Sequence, residues 1–391
     1  MAVTLLLALI VLPPAFLTLC FAVELFAGLR PLSQRQPESR GASAVIVVPA
    51  HDEAAIIGSR LTALKEAATG RARILVVADN CTDSTAEIAR SLSVEVIERF
   101  DPARRGKGFA LDFARSHLAA NPPDVVLIID ADCSTDAQSI GLLVACCASN
   151  ARPCQAVYLQ APSLEGPPTV QISTFAFFVR NVIRQRALLR LAARVHLLGT
   201  GMALPWLLFE SANLASANIV EDLEMGLEFA EAGHSPLMIE GAAVVSEPAS
   251  EKETVEQRRR WEGGFLVSAA KRAPLILARS LRNGDAAGLF AAIDLLIPPF
   301  ALLLLLDGIV LLLAAFVSTL AGASLWPALV LTFSLAAAGI SLLAVWVAGG
   351  SRFIRLSGLA KLPLYLVWKL PLYLGLARRG APKEWVRTGR S

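Results

Sequence analysis

Two acidic side chains at the end of an apolar run are the first candidates for chemistry. The run Val125–Ile129 is followed by Asp130, Ala131 and Asp132. Such a pair can hold one divalent cation, because Mg²⁺ and Mn²⁺ prefer oxygen ligands and bind through one or two carboxylates together with substrate phosphates. The cation would bridge a diphosphate and stabilise charge on a departing nucleotide. The alternative is that both acids only cap the following segment.

Two further segments carry groups suited to a nucleotide. Asp79 could accept a hydrogen bond from a base N–H, or it could form an Asx-turn, which Asn80 and Asp83 also favour. Lys107 and Arg105 could neutralise diphosphate oxygens. The alternative for these two residues is a basic loop in solvent.

The pair Glu221-Asp222 opens a predicted helix, Asp222–Glu231. Acids at a helix start are ordinary capping and dipole chemistry. The functional alternative is a general base that takes a proton from a hydroxyl group. The pattern alone does not choose between Glu221, Asp222 and Glu224.

The elements that must position these groups alternate between strands and helices. This alternation predicts an α/β fold with a mostly parallel sheet and helices on both faces. In such sheets ligands bind beyond the carboxyl ends of the strands, where the candidate acids lie. The predicted strands are Ala44–Val48, Ile74–Val77, Val94–Ile97 and Val125–Ile129, and the predicted helices are Glu53–Ala68, Thr82–Ser91, Lys107–Ala119 and Asp136–Ala148.

Two common nucleotide motifs are absent from the sequence. No G-x-G-x-x-G follows the first strand, which argues against a dinucleotide Rossmann site. The segment Arg105-Gly106-Lys107-Gly108 lacks both the earlier glycine and the Ser or Thr after Lys that a Walker loop needs.

The composition indicates that part of the chain lies in lipid. Of 391 residues, 55% are hydrophobic and only 18% are charged, and the net charge of +3 does not suggest nucleic acid. The apolar run Ala2–Val23 is long enough to span a membrane. A signal peptide is the alternative, but Met1–Thr4 has no basic side chain, which favours a retained anchor.

Two more spans are predicted within Leu289–Ala348, one ending near Leu320 and the next starting near Trp326. Basic residues at both flanks of the region from Arg30 to Asp285 predict that this region is cytosolic. The chain would then be a multi-pass protein of the cell (inner) membrane. The segment 362–376 is predicted to be interfacial, with a further spanning helix as the alternative.

These patterns divide the chain into six predicted segments. They are a transmembrane helix (1–28), a basic linker (29–43), a catalytic domain (44–250), an interfacial helix region (251–285), two transmembrane helices (286–350), and an interfacial segment with a basic tail (351–391).

The order of the acidic motifs, followed by Gln257-Arg258-Arg259-Arg260-Trp261, resembles the family 2 glycosyltransferases with a GT-A fold. The resemblance is to the membrane-bound branch that includes cellulose, chitin and hyaluronan synthases, and it covers Ala42 to Gly264. It implies a nucleotide-sugar-binding GT-A domain, Mg²⁺ or Mn²⁺ as cofactor, and transfer of a sugar.

The resemblance also implies a role for each matching residue. Asp222 would be the catalytic base, Asp130 and Asp132 would hold the metal, and Asp79 would contact uracil. The implied nucleotide-sugar contacts are Pro49, Ala50, Glu53, Asp79, Lys107, Asp130, Ala131, Asp132, Gln257 and Arg260, and the implied acceptor contacts are Gly199, Thr200, Gly201 and Trp261.

These implications give one main hypothesis and two alternatives. The main one is inverting transfer of a hexose or N-acetylhexosamine from a UDP-sugar to a lipid-linked glycan or polysaccharide, with formation of a β-glycosidic bond. Membrane lipids would surround the apolar helices. Self-association and association with other biosynthetic subunits are both left open. The first alternative is transfer to a membrane lipid, as in ceramide glucosyltransferase-like enzymes, and the second is an inactive nucleotide-binding scaffold. Few spans argue against a long extruded polymer.

Two features of the apolar parts carry further predictions. Asp307 lies near the middle of the second span, where an ionisable group is costly, and Lys369 or a second subunit could satisfy it. The alternative is that Asp307 is protonated or bonded internally within a pair of helices. The segment Gln171–Arg194 mixes aromatic residues with arginines and predicts an amphipathic interfacial helix.

Overall fold

The computed structural model describes residues 1–33, 41–215, 220–248 and 251–380, with only the main chain of 251–256. Residues 34–40 of the predicted basic linker and residues 381–391 of the predicted basic tail lie outside these residues. The chain forms two compact units. Within the described residues, the helical unit comprises 1–30, 162–192 and 266–380, and the α/β unit comprises 31–161 and 193–265.

The α/β unit contains an eight-stranded sheet in the order β3-β2-β1-β4-β7-β6-β8-β5. The strands predicted from the sequence all occur and form one half of this sheet. The strands are β1 (Ala44–Ala50), β2 (Arg73–Asp79), β3 (Glu95–Arg99), β4 (Val125–Ile128), β5 (Cys133–Thr135), β6 (Cys154–Gln160), β7 (Met202–Pro205) and β8 (Leu237–Ser246).

The sheet is mixed, and within the described residues four of its seven neighbouring strand pairs are parallel, the fourth being β6 with β8, which agrees with the predicted mostly parallel sheet. Strands β3, β2, β1 and β4 are parallel neighbours, as the strand–helix alternation predicts. Strand β7 runs antiparallel to β4 and β6, and β5 runs antiparallel to β8. The alternation ends after β6, and with it the crossover connection that keeps successive strands parallel.

Helices cover this sheet and bury its apolar side chains. On one face, Val45, Val47 and Leu75 of the sheet pack with Leu111 and Phe229 from two helices in one buried cluster. The helices of the unit are α2 (Ala54–Ala68), α3 (Thr85–Ser91), α4 (Lys107–Leu118), α5 (Ala137–Asn150), α8 (Trp206–Ser211) and α9 (Glu221–Glu231), together with the first part of α10 (Glu251–Asn283).

The helical unit holds the apolar helices. Among the described residues, three helices are long and apolar enough to cross a membrane: α1 (Ala2–Gly28), α12 (Phe300–Leu320) and α13 (Trp326–Val347). The other helices of this unit are α6 (Pro168–Phe178), α7 (Arg184–Ala192), α11 (Ala286–Leu296), α14 (Leu356–Leu359) and α15 (Leu362–Arg379), with a π-helical turn at Val179–Ile183 and a 3₁₀ turn at Gly350–Arg352.

The three long apolar helices pack together, and their contact includes Asp307. Val11 of α1 and Leu331 of α13 are fully buried in a shared apolar cluster. Asp307 on α12 is also fully buried, and its Oδ2 accepts a hydrogen bond from Thr18 of α1. The partner of Asp307 is therefore Thr18 rather than Lys369. Lys369 is buried beside Tyr373, whose hydroxyl oxygen lies 3.4 Å from its Nζ.

The prediction of an amphipathic interfacial helix over Gln171–Arg194 is wrong, because most of this segment is buried inside the protein. Helices α6 and α7 are separated by the π-helical turn, and Phe175, Phe177 and Val179 are buried. Arg184 is buried as well, between the carboxylates of Glu24 and Asp294, each 2.7 Å away. The arginines suggested exposure, but Arg184 is neutralised inside the unit.

Candidate functional site

The loop after β1 is fixed to the loop after β2. Pro49 and Ala50 are the last residues of β1, and Asp52 follows with a left-handed φ of 53°. Asp52 Oδ1 accepts hydrogen bonds from the main-chain N–H groups of Thr82 (2.6 Å) and Asp83 (3.2 Å). The Glu53 N–H donates to Thr85 Oγ1 (2.8 Å), and that residue starts α3. Both loops are thereby held in one conformation at the carboxyl end of the sheet.

Asp79 ends β2 as a buried carboxylate with a strong partner. Its Oδ1 accepts hydrogen bonds from Arg99 Nη1 (2.6 Å) and Asn80 Nδ2 (3.0 Å), and its main-chain oxygen lies 2.7 Å from His51 Nδ1. Arg99 was not among the residues predicted from the sequence. No local pattern identifies it, because only the register of the parallel strands β2 and β3 places it beside Asp79.

Lys107 joins the aspartates after β4 to a glycine turn. It is the first residue of α4, and its ammonium pairs with Asp130 and donates to the main-chain oxygen of Gly199 (2.8 Å). The Asp130 N–H donates to Thr200 Oγ1 (3.0 Å). Three segments distant in sequence therefore meet around one ammonium group.

Burial and charge shape the protonation of this group. Burial alone would lower the pKa of Lys107, but Asp130 and Glu221 raise it above the ordinary value, so Lys107 carries its charge. Burial raises the pKa of Asp130, while Lys107 acts in the opposite direction.

The segment Asp130–Cys133 offers ligands for a metal ion. Oxygens of Asp130 and Asp132 and the sulfur of Cys133 lie within 4.8 Å of one another. Burial raises the pKa of the Cys133 thiol well above its ordinary value, so sulfur stays protonated and is a poor ligand. The two carboxylates that remain fit Mg²⁺ or Mn²⁺.

A second cluster of acidic residues is not suited to hold a metal ion. Asp52, Cys81 and Asp83 also lie within 4.8 Å of one another. However, Asp83 Oδ2 accepts from the Ala54 N–H (3.0 Å) and its Oδ1 from the Thr85 N–H (3.0 Å). These carboxylates, like that of Asp52, hold the loops together.

The turn Gly199-Thr200-Gly201 requires both glycines. Their φ angles are +86° and +65°, values that residues with a side chain rarely adopt. A Cβ atom on Gly201 would lie 2.8 Å from Val244 Cγ2 and 2.9 Å from Ala156 Cβ. Thr200 is fully buried, and its main-chain oxygen accepts from Gln155 Nε2 (2.9 Å). The turn is therefore rigid.

Asp222 lies against the same turn, at the second residue of α9. The point where a Cβ of Gly199 would sit is 3.3 Å from Asp222 Oδ2 and 3.7 Å from Lys107 Nζ. The structure thus brings Lys107, Asp130, Gly199 and Asp222 together.

The neighbouring Glu221 has an unusual protonation state. Burial raises its pKa to about 8; the charge of Asp222 adds to this effect and that of Lys107 opposes it. Glu221 therefore keeps its proton near neutral pH.

The segment Gln257–Trp261 lies on α10. Gln257 and Arg260 are buried, Trp261 is half-buried, and the guanidinium of Arg258 is 6.0 Å from the centre of the Trp261 ring. One turn later, a Cβ on Gly264 would lie 2.7 Å from Val220 Cγ1. This part of α10 therefore passes close to the residue that precedes Glu221.

The comparison with known sequences decides the family. Residues 42–264, more than half of the chain, match the family described as Glycosyltransferase like family 2. The chain belongs to this family. It is a glycosyltransferase that uses a nucleotide-sugar donor. A comparison with curated protein sequences finds no significant match.

Two solved structures are similar to this glycosyltransferase. The mannosyltransferase PcManGT from Pyrobaculum calidifontis, in complex with GDP-Man and Mn²⁺, is 19% identical with a TM-score of 0.58, over 87% of this chain and 97% of that chain. Glucosyl-3-phosphoglycerate synthase from Mycobacterium tuberculosis, in complex with Mn²⁺, uridine diphosphate and phosphoglyceric acid, is 19% identical with a TM-score of 0.39, over 58% and 78% of the two chains. The first likeness supports the GT-A fold.

Proposed function

We propose that this glycosyltransferase is a membrane-bound, metal-dependent, inverting enzyme. It moves a hexose or N-acetylhexosamine from a UDP-sugar to a lipid-linked glycan or polysaccharide and forms a β-glycosidic bond. The observation that carries the proposal is the approach of Asp222 and of the Lys107–Asp130 pair to Gly199. A carboxylate base and a cation beside the metal-type acids are the two parts that such a displacement needs.

At the donor end, charged side chains would hold the nucleotide. Asp130 and Asp132 would bind the metal ion, which would neutralise charge on the diphosphate. Lys107 would place its ammonium beside the same phosphates, and Asp79 would contact the base. Gln257 and Arg260, both buried on α10, would complete the diphosphate contacts.

At the acceptor end, Asp222 would act as the general base. It would take the proton of an acceptor hydroxyl whose oxygen then attacks the anomeric carbon from the face opposite the nucleotide. The bond from that carbon to the phosphate oxygen breaks, and UDP leaves. Glu221 is mostly protonated near neutral pH because its pKa is raised, so Asp222 is the residue proposed for this role. The Gly199–Gly201 turn and the Trp261 ring would position the acceptor sugar.

The apolar helices support an acceptor that is held at a membrane. We infer that the α/β unit lies on the cytosolic side, where nucleotide sugars are made, as the basic flanks of the spans indicate. The presence of only three long apolar helices among the described residues favours a lipid or a lipid-linked glycan over a long extruded polymer. Transfer to a membrane lipid itself is therefore the second candidate.

A purified-enzyme experiment tests the proposal. The full chain in detergent with Mn²⁺ would be offered UDP-glucose, UDP-N-acetylglucosamine, UDP-galactose and GDP-mannose. We expect transfer from a UDP-sugar, a β-configured product by NMR, and an Asp222→Asn variant slower by about 10²- to 10⁴-fold. The matched control is Glu228→Gln, an exposed acid on the same helix. An α-configured product, transfer from GDP-mannose alone, or full activity of Asp222→Asn would each contradict it.

A second experiment separates the two acceptors. Lipid extracts of a deletion strain and its parent would be compared by mass spectrometry. Loss of a glycosylated membrane lipid supports the second candidate, and loss of an extended lipid-linked glycan supports the first.

A further inference from the structure

A buried network joins the ends of β2 and β3, and the mechanism above uses only Asp79 of this network. Arg99 lies at its centre, with only 11% of its side chain exposed. Its Nη1 donates to Asp79 Oδ1 (2.6 Å) and its Nη2 to Asp101 Oδ2 (3.2 Å). Its guanidinium also lies 5.5 Å from the centre of the Phe109 ring. A planar guanidinium that bridges two carboxylates and faces an aromatic ring has little freedom to move.

Asn80 closes the network. It adopts a left-handed φ of 52°, and its Nδ2 donates to Asp79 Oδ1 (3.0 Å) while its Oδ1 accepts from the Asp101 N–H (2.8 Å). Its own N–H donates to the main-chain oxygen of Arg99 (2.7 Å). The side chains of Asp79, Asn80 and Arg99 are therefore fixed with respect to one another.

Both side-chain donors to Asp79 reach the same oxygen. Arg99 and Asn80 bind Oδ1, and within the described part of the chain no donor is bound to Oδ2. Some polar side-chain atoms among the described residues are fully buried and lack a hydrogen-bond partner, but Asp79 Oδ2 is not one of them. Solvent or a ligand can therefore reach Oδ2. The network thus fixes the carboxylate of Asp79 and leaves Oδ2 accessible.

We propose that Arg99 is a positioning residue for base recognition. It holds Asp79 so that Oδ2 accepts a hydrogen bond from a ring N–H of the donor nucleotide. The inference rests on the contact between Asp79 and the base in the proposed function and deepens it. Uracil and guanine carry a ring N–H on their pairing edge, whereas cytosine and adenine present a lone pair there, which a carboxylate repels. The site therefore takes uridine or guanosine diphosphates and rejects the cytidine and adenosine forms.

A merely structural role for Arg99 would have different consequences. If Arg99 only joined the ends of β2 and β3, its loss would disturb every ligand of the sheet edge alike. If it positions Asp79, its loss affects ligands that carry a base and spares ligands that consist of phosphate alone. Inorganic pyrophosphate provides this comparison, because it has no base.

The test measures binding by titration calorimetry, with Mn²⁺ and the full-length protein in detergent. We expect Arg99→Gln to weaken UDP binding by about 10- to 100-fold, the usual cost of losing a hydrogen bond to a charged group. Pyrophosphate affinity should stay within about 2-fold. The kcat should stay within about 3-fold while KM for the donor rises, because a loss of binding that is equal in the ground state and the transition state raises KM and leaves kcat unchanged. Arg99→Lys should recover part of the UDP affinity, since an ammonium can reach Asp79 without bridging both acids.

The matched control is Arg90→Gln. Arg90 lies on α3 and pairs with Glu98, which precedes Arg99 on β3. Both side chains of this pair are about half exposed. This variant should bind UDP and pyrophosphate as the unchanged protein does.

Three outcomes would overturn the proposal. They are unchanged UDP affinity in Arg99→Gln, equal losses of UDP and pyrophosphate affinity, and binding of CDP or ADP by the unchanged protein as tightly as UDP or GDP. Failure of the proposed function gives a different result, in which the unchanged protein binds UDP but transfers no sugar. The binding test needs no turnover, so the two failures are distinguishable.

Discussion

Lys107, the first residue of α4, forms an ion pair with Asp130, which follows β4. The same ammonium donates to the main-chain oxygen of Gly199, 2.8 Å away. One cation thus organises the metal-type acids and the glycine turn that Asp222 approaches. Because Lys107 and Asp130 are largely buried, the loss of either partner leaves a poorly compensated charge.

Replacement of Lys107 by methionine should therefore reduce transfer strongly. Met has a similar length without the charge, so both Asp130 and a bound diphosphate lose their cationic partner. We expect kcat to fall by at least about 10²-fold, the usual effect of removing a preorganised donor. Steady-state kinetics check this, with Lys65→Met as the control, since Lys65 is exposed and donates to the Leu92 oxygen on the surface. Unchanged kcat in Lys107→Met would remove Lys107 from the site.

The ligands of the metal can be tested by titration. EDTA should abolish transfer and Mn²⁺ should restore it, and Asp132→Asn should raise the half-saturating Mn²⁺ concentration by at least about 10-fold. Cys133→Ala should leave this concentration unchanged, because the buried thiol stays protonated. A shift in the Cys133 variant, or none in the Asp132 variant, would show that the carboxylate pair is not the ligand set.

The sequence predicted those parts of the fold that local patterns determine. Continuous apolar runs predicted β1 to β4, and long apolar stretches predicted the three long helices of the helical unit. Asp79 was identified as a candidate, but its partner Arg99 lies in another strand, and only the register of β2 and β3 brings the two together.

The prediction that failed concerns a charge whose partners are distant in sequence. Arg184 suggested an exposed helix, yet its partners Glu24 and Asp294 lie 160 and 110 residues away. For Asp307 the sequence left open Lys369, a second subunit or a bond within a helix pair, and the bond to Thr18 of α1 is of the last kind. Tertiary neutralisation of a charge leaves no local pattern, so composition alone cannot separate a buried arginine from an exposed one.

The raised pKa of Glu221 predicts how stability depends on pH. The folded protein keeps this proton up to about pH 8, whereas an unfolded chain loses it above its ordinary pKa of 4.5. The contribution of Glu221 to stability is therefore complete below pH 4.5 and is lost progressively as the pH rises to about 8. Glu221→Gln stays neutral, so the stability of this variant relative to the unchanged protein should increase across this window and then level off.

Thermal unfolding of the metal-free protein at several pH values measures this difference. EDTA is included so that no cation competes for the neighbouring acids. A constant difference between the two proteins at all pH values would mean that Glu221 titrates normally.

The turn beside Asp222 allows a matched pair of glycine substitutions. Gly201 and Gly233 both have positive φ, +65° and +89°, but only Gly201 is enclosed, by Val244 and Ala156. Gly233→Ala should cost about 1 kcal/mol, the strain of a left-handed alanine. Gly201→Ala should cost about 1–3 kcal/mol more, because the new methyl group overpacks the core. Thermal or denaturant unfolding checks both values, and equal losses would show that the enclosure of Gly201 relaxes without cost.

The buried triad of the helical unit should respond differently to one substitution than to three. Arg184 neutralises Glu24 and Asp294, both largely buried, and its guanidinium also lies 5.9 Å from the centre of the Phe21 ring. Arg184→Met leaves two buried carboxylates without a cation, and we expect it to destabilise the helical unit by about 3–5 kcal/mol.

The triple variant Glu24→Gln, Arg184→Met, Asp294→Asn removes all three charges and should recover most of that loss, because no uncompensated charge remains buried. Thermal denaturation in detergent would compare the single variant, the triple variant and the unchanged protein. A triple variant as unstable as Arg184→Met would mean that the hydrogen bonds of the triad, rather than its charge balance, stabilise α1, α7 and α11.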